Sequence, residues 1–415
     1  VGIALPGSLE VDFTGHAISA KTDIDNFGGP YGDDPNNTQD YRSFFLKGQL
    51  RGLFWKNRWE QRLAVAVVDS RRSHHNSPDE FHPSNKEEGM FKGRMLTLDW
   101  QNNLFLHASH TLTAGLEYSR EQGESEYVTE DSWGLFSSLF PRRKAEAVGL
   151  YLQDSIRVAD RLFAAAGLRF DRHSRTGGAL TYRLAPAYIF KATQTKIRAS
   201  LGTGFKSPSL YQLYAPGTVF GPIGNSGLKP ERSLGWDAGV EQPLFDGRAR
   251  AAVTYFHNDF KNLIDFSVIQ GYINIGRAET RGVEVEFSAR PWEALSFSLV
   301  YSRLQARDEV RGTPLLRRPE GMASARLATT FLTRWTAAVS FDYVGPRKDV
   351  DYNAWPALTV TLPAYSLLNG VLSYEAGKNA ELFVRLDNIL DERYEMVYGY
   401  GTLGFSIQAG VRLGV

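Results

Sequence analysis

Strict alternation of apolar and polar residues, repeated along the whole chain, limits what this sequence can fold into more than any other feature. In the last segment Phe405, Ile407, Ala409, Val411, Leu413 and Val415 alternate with Ser406, Gln408, Gly410, Arg412 and Gly414. Trp335, Ala337, Val339, Phe341 and Tyr343 alternate with Thr336, Ala338, Ser340 and Asp342. Val283, Val285 and Phe287 alternate with Glu284, Glu286 and Ser288, and Ala164, Ala166, Leu168 and Phe170 with Ala165, Gly167, Arg169 and Asp171. Side chains on a strand point to opposite faces in turn, so each segment predicts a β-strand with one oily and one polar face.

A soluble sandwich alternates in the same way, and three features favour a membrane barrel over it. The expected strands run about 10 to 15 residues, well beyond the usual five or six. Tyr and Trp recur near strand ends, where an aromatic girdle would lie. Connections also alternate in length. Thr14-Gly15-His16, Lys56-Asn57-Arg58, Ala159-Asp160-Arg161, Phe245-Asp246-Gly247, Trp292-Glu293-Ala294 and Lys378-Asn379 read as tight turns. Long polar loops fall between them, at about 26–41, 70–89, 121–143, 209–232, 306–320 and 347–362. Short turns on one rim and long loops on the other describe an all-β transmembrane antiparallel β-barrel of the bacterial outer membrane, crossing it many times.

Composition agrees once the fold is set. The 415 residues would suffice for two or three domains, but no linker or charge block divides them, so residues 1–415 are expected to form one barrel domain. The longest apolar runs, such as Leu63–Val68, are far short of a spanning helix. A mean hydropathy of −0.31 would suggest a soluble protein, whereas 13% aromatic residues and 39 glycines suit a barrel. A net charge of +1 gives no overall field for nucleic acid or anionic lipid. The absence of cysteine says little.

The expected strands number about 19, from Ala4–Phe13 to Phe405–Val415. The first and the last both run toward the short-turn rim. Single-chain barrels have even strand numbers, so this reading expects at least one further strand before Val1.

Some residues are familiar. Gly202-Thr-Gly-Phe-Lys-Ser-Pro-Ser-Leu-Tyr-Gln-Leu-Tyr214, Gly224-Asn-Ser-Gly-Leu-Lys-Pro-Glu-Arg-Ser233 and Val384-Arg-Leu-Asp-Asn-Ile-Leu-Asp-Glu-Arg-Tyr394 resemble the signatures of TonB-dependent outer-membrane receptors. Thr313-Pro-Leu-Leu-Arg-Arg318 and Tyr394-Glu-Met-Val-Tyr-Gly-Tyr-Gly-Thr402 are similar to the vitamin B12 (cobalamin) receptor branch. The resemblance implies a barrel of 22 strands, a plug inside it, and import of a scarce ligand powered by TonB. It also implies that the plug, with its TonB box, and about three strands lie outside this chain. The expected partners are outer-membrane lipid, TonB through that plug, and a small ligand, with the receptor a monomer.

Candidate ligand contacts are the loop aromatics Tyr211, Tyr214, Phe220, Tyr398 and Tyr400, which could stack on a corrin ring, and the pair Arg317-Arg318. Structural roles as loop anchors compete with each. Lumen charges such as Arg169, Asp171, Glu284, Glu286, Arg385 and Asp387 read more simply as a polar wall. Carboxylates at Asp23, Asp25, Asp33 and Asp34 suit a hard cation such as calcium, against a plain solvated loop. In the receptor branch calcium orders these loops, and Asp25 falls at a matching position, although the opposing match falls on Asn36. No other cofactor is expected. His74, His75 and His82 share a loop and would suit zinc or haem iron, but their irregular spacing favours a polar loop. No nucleophile elbow or paired-acid motif is present, and Gly202-Thr-Gly-Phe-Lys lacks the strand-then-helix setting of a phosphate loop. A transporter is therefore expected rather than an enzyme. An iron-siderophore or haem receptor and a passive porin stay open as alternatives.

Overall fold

The computed structural model describes residues 2–24, 34, 36–80, 83, 86–131, 134–217, 221, 223–267, 270–352, 354 and 356–414. The first strands are β1 (Gly2–Leu5), β2 (Leu9–Asp23), β3 (Thr38–Phe54), β4 (Trp59–Asn76), β5 (Lys86–His107), β6 (His110–Asp131) and β7 (Gly134–Val158). They are followed by β8 (Leu162–His173), β9 (Gly177–Ile189), β10 (Lys196–Lys206), a short helix α1 (Leu210–Tyr214), β11 (Glu231–Leu244), β12 (Ala249–Ser267) and β13 (Gly271–Trp292). The remainder are β14 (Leu295–Asp308), β15 (Gly321–Phe331), β16 (Trp335–Val344), β17 (Arg347–Asp351), β18 (Leu358–Leu362), β19 (Tyr365–Gly377), β20 (Ala380–Asp387) and β21 (Ser406–Leu413).

Each strand pairs antiparallel with the next, giving a single sheet of 19 strands, while β17 and β18 form a hairpin of their own and β16 passes directly to β19. The strand number agrees with the alternation. Among the described residues β1 pairs only with β2, and β21 only with β20, so these 19 strands form an open sheet rather than a closed barrel.

Register puts like with like across many strands. Leu50, Leu63, Trp100, Leu116, Leu150, Phe170 and Leu180 sit opposite one another from β3 to β9 as one continuous apolar row. The adjacent row is Arg51, Arg62, Gln101, Gly115, Tyr151, Arg169 and Thr181. A one-residue slip in any strand would exchange the two faces. Leu63 is 51% exposed, Leu150 56% and Leu180 63%, an arrangement that water penalises and a bilayer favours.

Aromatic residues border the oily face. Trp55 and Trp59, Tyr188 and Phe190, and Trp335 with Tyr374 pack in pairs beside the short turns, with ring centroids 4.9, 5.0 and 4.8 Å apart. Tyr301 and Tyr343 lie on the same face near the other end, both paired with Ala323. The eight-residue step from Trp335 to Tyr343 spans roughly 27 Å of strand, or about 20 Å after the usual tilt, close to the apolar belt of outer-membrane barrels.

The polar face is tied to itself. Glu60, 3% exposed, accepts from Arg51 at 2.6 Å, Arg62 at 2.8 Å and Asn103 at 2.8 Å. Arg169 pairs with Glu117 at 3.0 Å and with Asp171 at 2.7 Å. Arg198 joins Glu241 at 3.0 Å, and Arg250 joins the same carboxylate at 2.8 Å.

Two expectations about connections are overturned. Thr14-Gly15-His16 is no turn but the middle of β2, and the turn falls at Pro6-Gly7-Ser8, where Gly7 and Ser8 take φ of +81° and +62°. Pro and a left-handed Gly make that turn, whereas Gly15 simply pairs with Leu46. Residues 121–143 and 70–89 are also largely strand rather than loop, because β6 and β7 continue to Asp131 and from Gly134, and β4 and β5 to Asn76 and from Lys86. Their charges read as loop, yet opposite charges pair across strands, as in Arg142–Glu124 at 2.9 Å. Hydrogen bonding of the ladder sustains a strand that has lost its oily face.

Candidate ligand-facing loop cluster

On the long-loop rim three segments meet at one carboxylate. They are the loop between β14 and β15, the β17–β18 hairpin, and the loop between β20 and β21. Asp349 has no solvent-exposed side-chain surface. Its Oδ1 accepts from Arg317 Nε at 2.9 Å and from the Val350 N–H at 2.9 Å, and its Oδ2 accepts from the Tyr398 N–H at 2.9 Å. Burial by itself pushes the carboxyl up. The N–H donors of Tyr398 and Val350 and the Arg317 guanidinium outweigh that and hold it below its ordinary value of 3.8.

The rest of the cluster packs around this point. Arg347, adjacent on the same hairpin face, donates to the Glu395 carbonyl and lies 5.2 Å from the Tyr365 ring, which stacks on Tyr394 at 4.1 Å. Thr402 Oγ1 donates to the Tyr394 carbonyl at 2.7 Å, and the Gly399 N–H to Glu395 Oε2 at 3.2 Å. The loop from Tyr394 to Thr402 is thereby folded on itself, with Tyr398 37% exposed at its tip. Arg318 stays exposed and donates to the Arg317 carbonyl at 3.2 Å.

A second anchor lies further round the rim. Ser209 caps α1 reciprocally with Gln212, a capping box. The helix drives Leu210 and Leu213 inward and sets the Tyr211 ring among Phe91, Phe140 and Tyr272, with centroids 6.0, 6.1 and 6.3 Å away. Burial, with the neighbouring Tyr272, pushes the Tyr211 hydroxyl up. Tyr214 lies between Arg143 and Arg175, 5.3 and 5.5 Å from its ring. Gly224 closes the loop onto this helix, and a Cβ there would stand 2.5 Å from the Ala215 nitrogen.

The candidate residues thus separate. Arg317 and Tyr398 join at Asp349, while Tyr211 and Tyr214 serve the second anchor. Tyr400 lies in the β20–β21 loop, its N–H donating to the Val397 carbonyl at 3.1 Å. Phe220, Asp25, Asp33 and His82 lie outside the described residues. Asp34 is 2% exposed and accepts from Asn76 Nδ2 at 2.9 Å, and Asn36 donates to the Ser77 carbonyl at 2.7 Å. Asp23 ends β2 and is exposed. His74 and His75 are successive residues of β4 and so point to opposite faces, with His74 held 3.2 Å from Glu87. Sequence reasoning missed Asp349, Arg347 and Glu395. Only the alternating charges of Arg347-Lys348-Asp349 hinted at a strand there.

With this geometry in hand, known proteins give a consistent picture. The chain is 34% identical over 238 residues to the vitamin B12 transporter BtuB of Vibrio cholerae serotype O1, an alignment covering 57% of this chain but 37% of that protein. Among solved structures, the siderophore receptor PiuA from Acinetobacter baumannii superposes with a TM-score of 0.79 at 14% identity, covering 99% of this chain and 73% of that one. The copper transporter OprC gives 0.80 at 14%, covering 99% and 70%. Siderophore and copper proteins sharing one architecture show that the fold does not select cargo. Residues 5–389 match the family described as TonB dependent receptor-like, β-barrel, and the chain therefore belongs to that family of outer-membrane proteins.

Proposed function

We propose that this chain forms the wall and outward loops of a TonB-dependent receptor that binds a corrinoid at its outer rim and imports it. The observation that carries the reading is the junction at Asp349. Two separate stretches that are similar to the cobalamin branch, Thr313–Arg318 and Tyr394–Thr402, are held together by one buried carboxylate. Loops fixed in this way present Tyr398 as a rigid aromatic surface at low entropic cost to the ligand. The identity to a protein named as a vitamin B12 transporter points the same way. Calcium at the Asp23–Asp34 loop and TonB at a plug belong to the same proposal.

Isothermal titration of the full-length receptor with cyanocobalamin, with and without calcium, tests this. Binding at micromolar affinity or better, tightened by calcium, is expected. Binding of a ferric siderophore in its place would overturn it.

A further inference from the structure

Strand β7 outruns one of its two neighbours. β8 pairs with it from Val158 up to Ala147, and the Ser174 N–H and the Arg175 guanidinium extend that side to the Glu146 and Lys144 carbonyls. On the other side β6 accompanies β7 to its start, with Asp131 opposite Gly134. Among the described residues nothing pairs with the backbone of Gly134–Phe140 on the β8 side. The β12–β13 hairpin also rises past β14, but a loop covers it there. The Tyr272 N–H donates to the Ile223 carbonyl at 2.8 Å, and Asn225 Nδ2 donates to the Tyr272 carbonyl at 3.0 Å.

The free edge is not blunted. Exposed edges usually carry Lys, Pro or a bulge, yet Gly134-Leu-Phe-Ser-Ser-Leu-Phe140 has no charge, and Pro141 and the bulge come only after it. Phe140 packs inward with Ala145 and Leu210. Leu135 and Leu139, opposite Glu130 and Glu126, share one face and are 71% and 62% exposed. Lipid does not account for them. Val148 lies beside Tyr118 at the top of the oily face, and Leu139 is nine residues beyond, roughly 30 Å along the strand. Headgroups add only about 5–8 Å to each side of a bilayer.

We infer that this edge takes an extended segment of another protein as an added antiparallel strand. A row of unpaired backbone groups is complementary to extended backbone, and the two leucines select alternating apolar side chains. A second copy in the same membrane would bring up its own β7 running the same way, so the two edges could not form an antiparallel ladder. Charge at the lower end specifies the partner further. Arg142 and Lys92 share Glu124, and Lys144 and Arg120 share Glu146, leaving cations in excess where the incoming strand begins. The partner segment therefore has acidic residues leading into its apolar alternation. The inference rests on the family's outer-membrane setting and is independent of cargo.

The test uses the full-length receptor in vesicles and a labelled peptide of two aspartates followed by alternating valines and threonines. Control peptides are N-methylated along one edge or along the other, or carry lysines for the aspartates. Micromolar binding is expected, weakened at least ten-fold by methylation of one edge only and several-fold by the lysines. Hydrogen exchange across residues 134–140 should slow when the peptide binds. Leu135→Lys/Leu139→Lys, checked as folded by heat-modifiability on gels, should lose binding at least ten-fold, and Leu135→Val/Leu139→Val should keep it. No binding, or equal weakening by both methylations, would overturn the inference. Protection of 134–140 that grows with receptor concentration and without peptide would show self-pairing and overturn the partner assignment.

Discussion

Asp349 concentrates the chemistry of the outer rim into one side chain. A buried carboxylate with three donors is stable only while all are present, because each orphaned N–H carries its own desolvation cost. Asp349→Ala is expected to destabilise the local junction by about 2 kcal/mol, or about 30-fold in its opening equilibrium. Limited trypsin cleavage after Arg317, whose guanidinium the junction engages, reads this directly, and unchanged cleavage would remove the junction from the account. Its pH dependence follows from the sign of the shift. The folded carboxyl titrates below its ordinary 3.8, so the stabilisation is fully present above that value and is lost only as pH falls further. Hydrogen-exchange protection of the Tyr398 amide should therefore be flat from pH 8 to 5 and fall only below about 4, once corrected for intrinsic rates.

Elements show where sequence and structure part. Alternation located the strands because the bilayer and the lumen impose opposite chemistry on neighbouring residues, as in the rows of Leu150 and Tyr151. It failed above the membrane, where both faces of β6 and β7 are wet and charge pairing replaces hydrophobic period. The Asp349 junction was out of reach for a related reason: its partners lie 32 and 49 residues away, and no local pattern encodes that distance. The second anchor was half legible. The capping residues of α1 stand in the sequence, but the convergence of Phe91, Phe140 and Tyr272 on Tyr211 depends on three other strands. Tyr211→Ala should cost about 2–3 kcal/mol of local stability through lost ring packing. Faster hydrogen exchange across residues 207–217, with the β10–β11 ladder unchanged, is the expected signature.

For the whole molecule, the two faces of the sheet meet different solvents. Val339 lies at the centre of the Trp335–Tyr343 segment on the lipid face, and Ser340 beside it faces the lumen. Val339→Arg is expected to lower the folding free energy of the full receptor in vesicles by about 2–4 kcal/mol, and Ser340→Arg by about 1 kcal/mol or less. Equal effects of the two would contradict the assignment of faces. A net charge of +1 concealed how charge is placed: acids and bases pair across neighbouring strands of the polar face, as at Glu60 and Glu241. Averages over a chain cannot reveal such sorting.

The central claim is that the rim, locked at Asp349, receives a corrinoid. Cyanocobalamin affinity of the full-length receptor, measured beside Asp349→Ala in calcium, tests it most directly. The account predicts micromolar or tighter binding by the wild type and a loss of ten-fold or more in the variant. No corrinoid binding by the folded wild type, or equal affinity in both proteins, would contradict it.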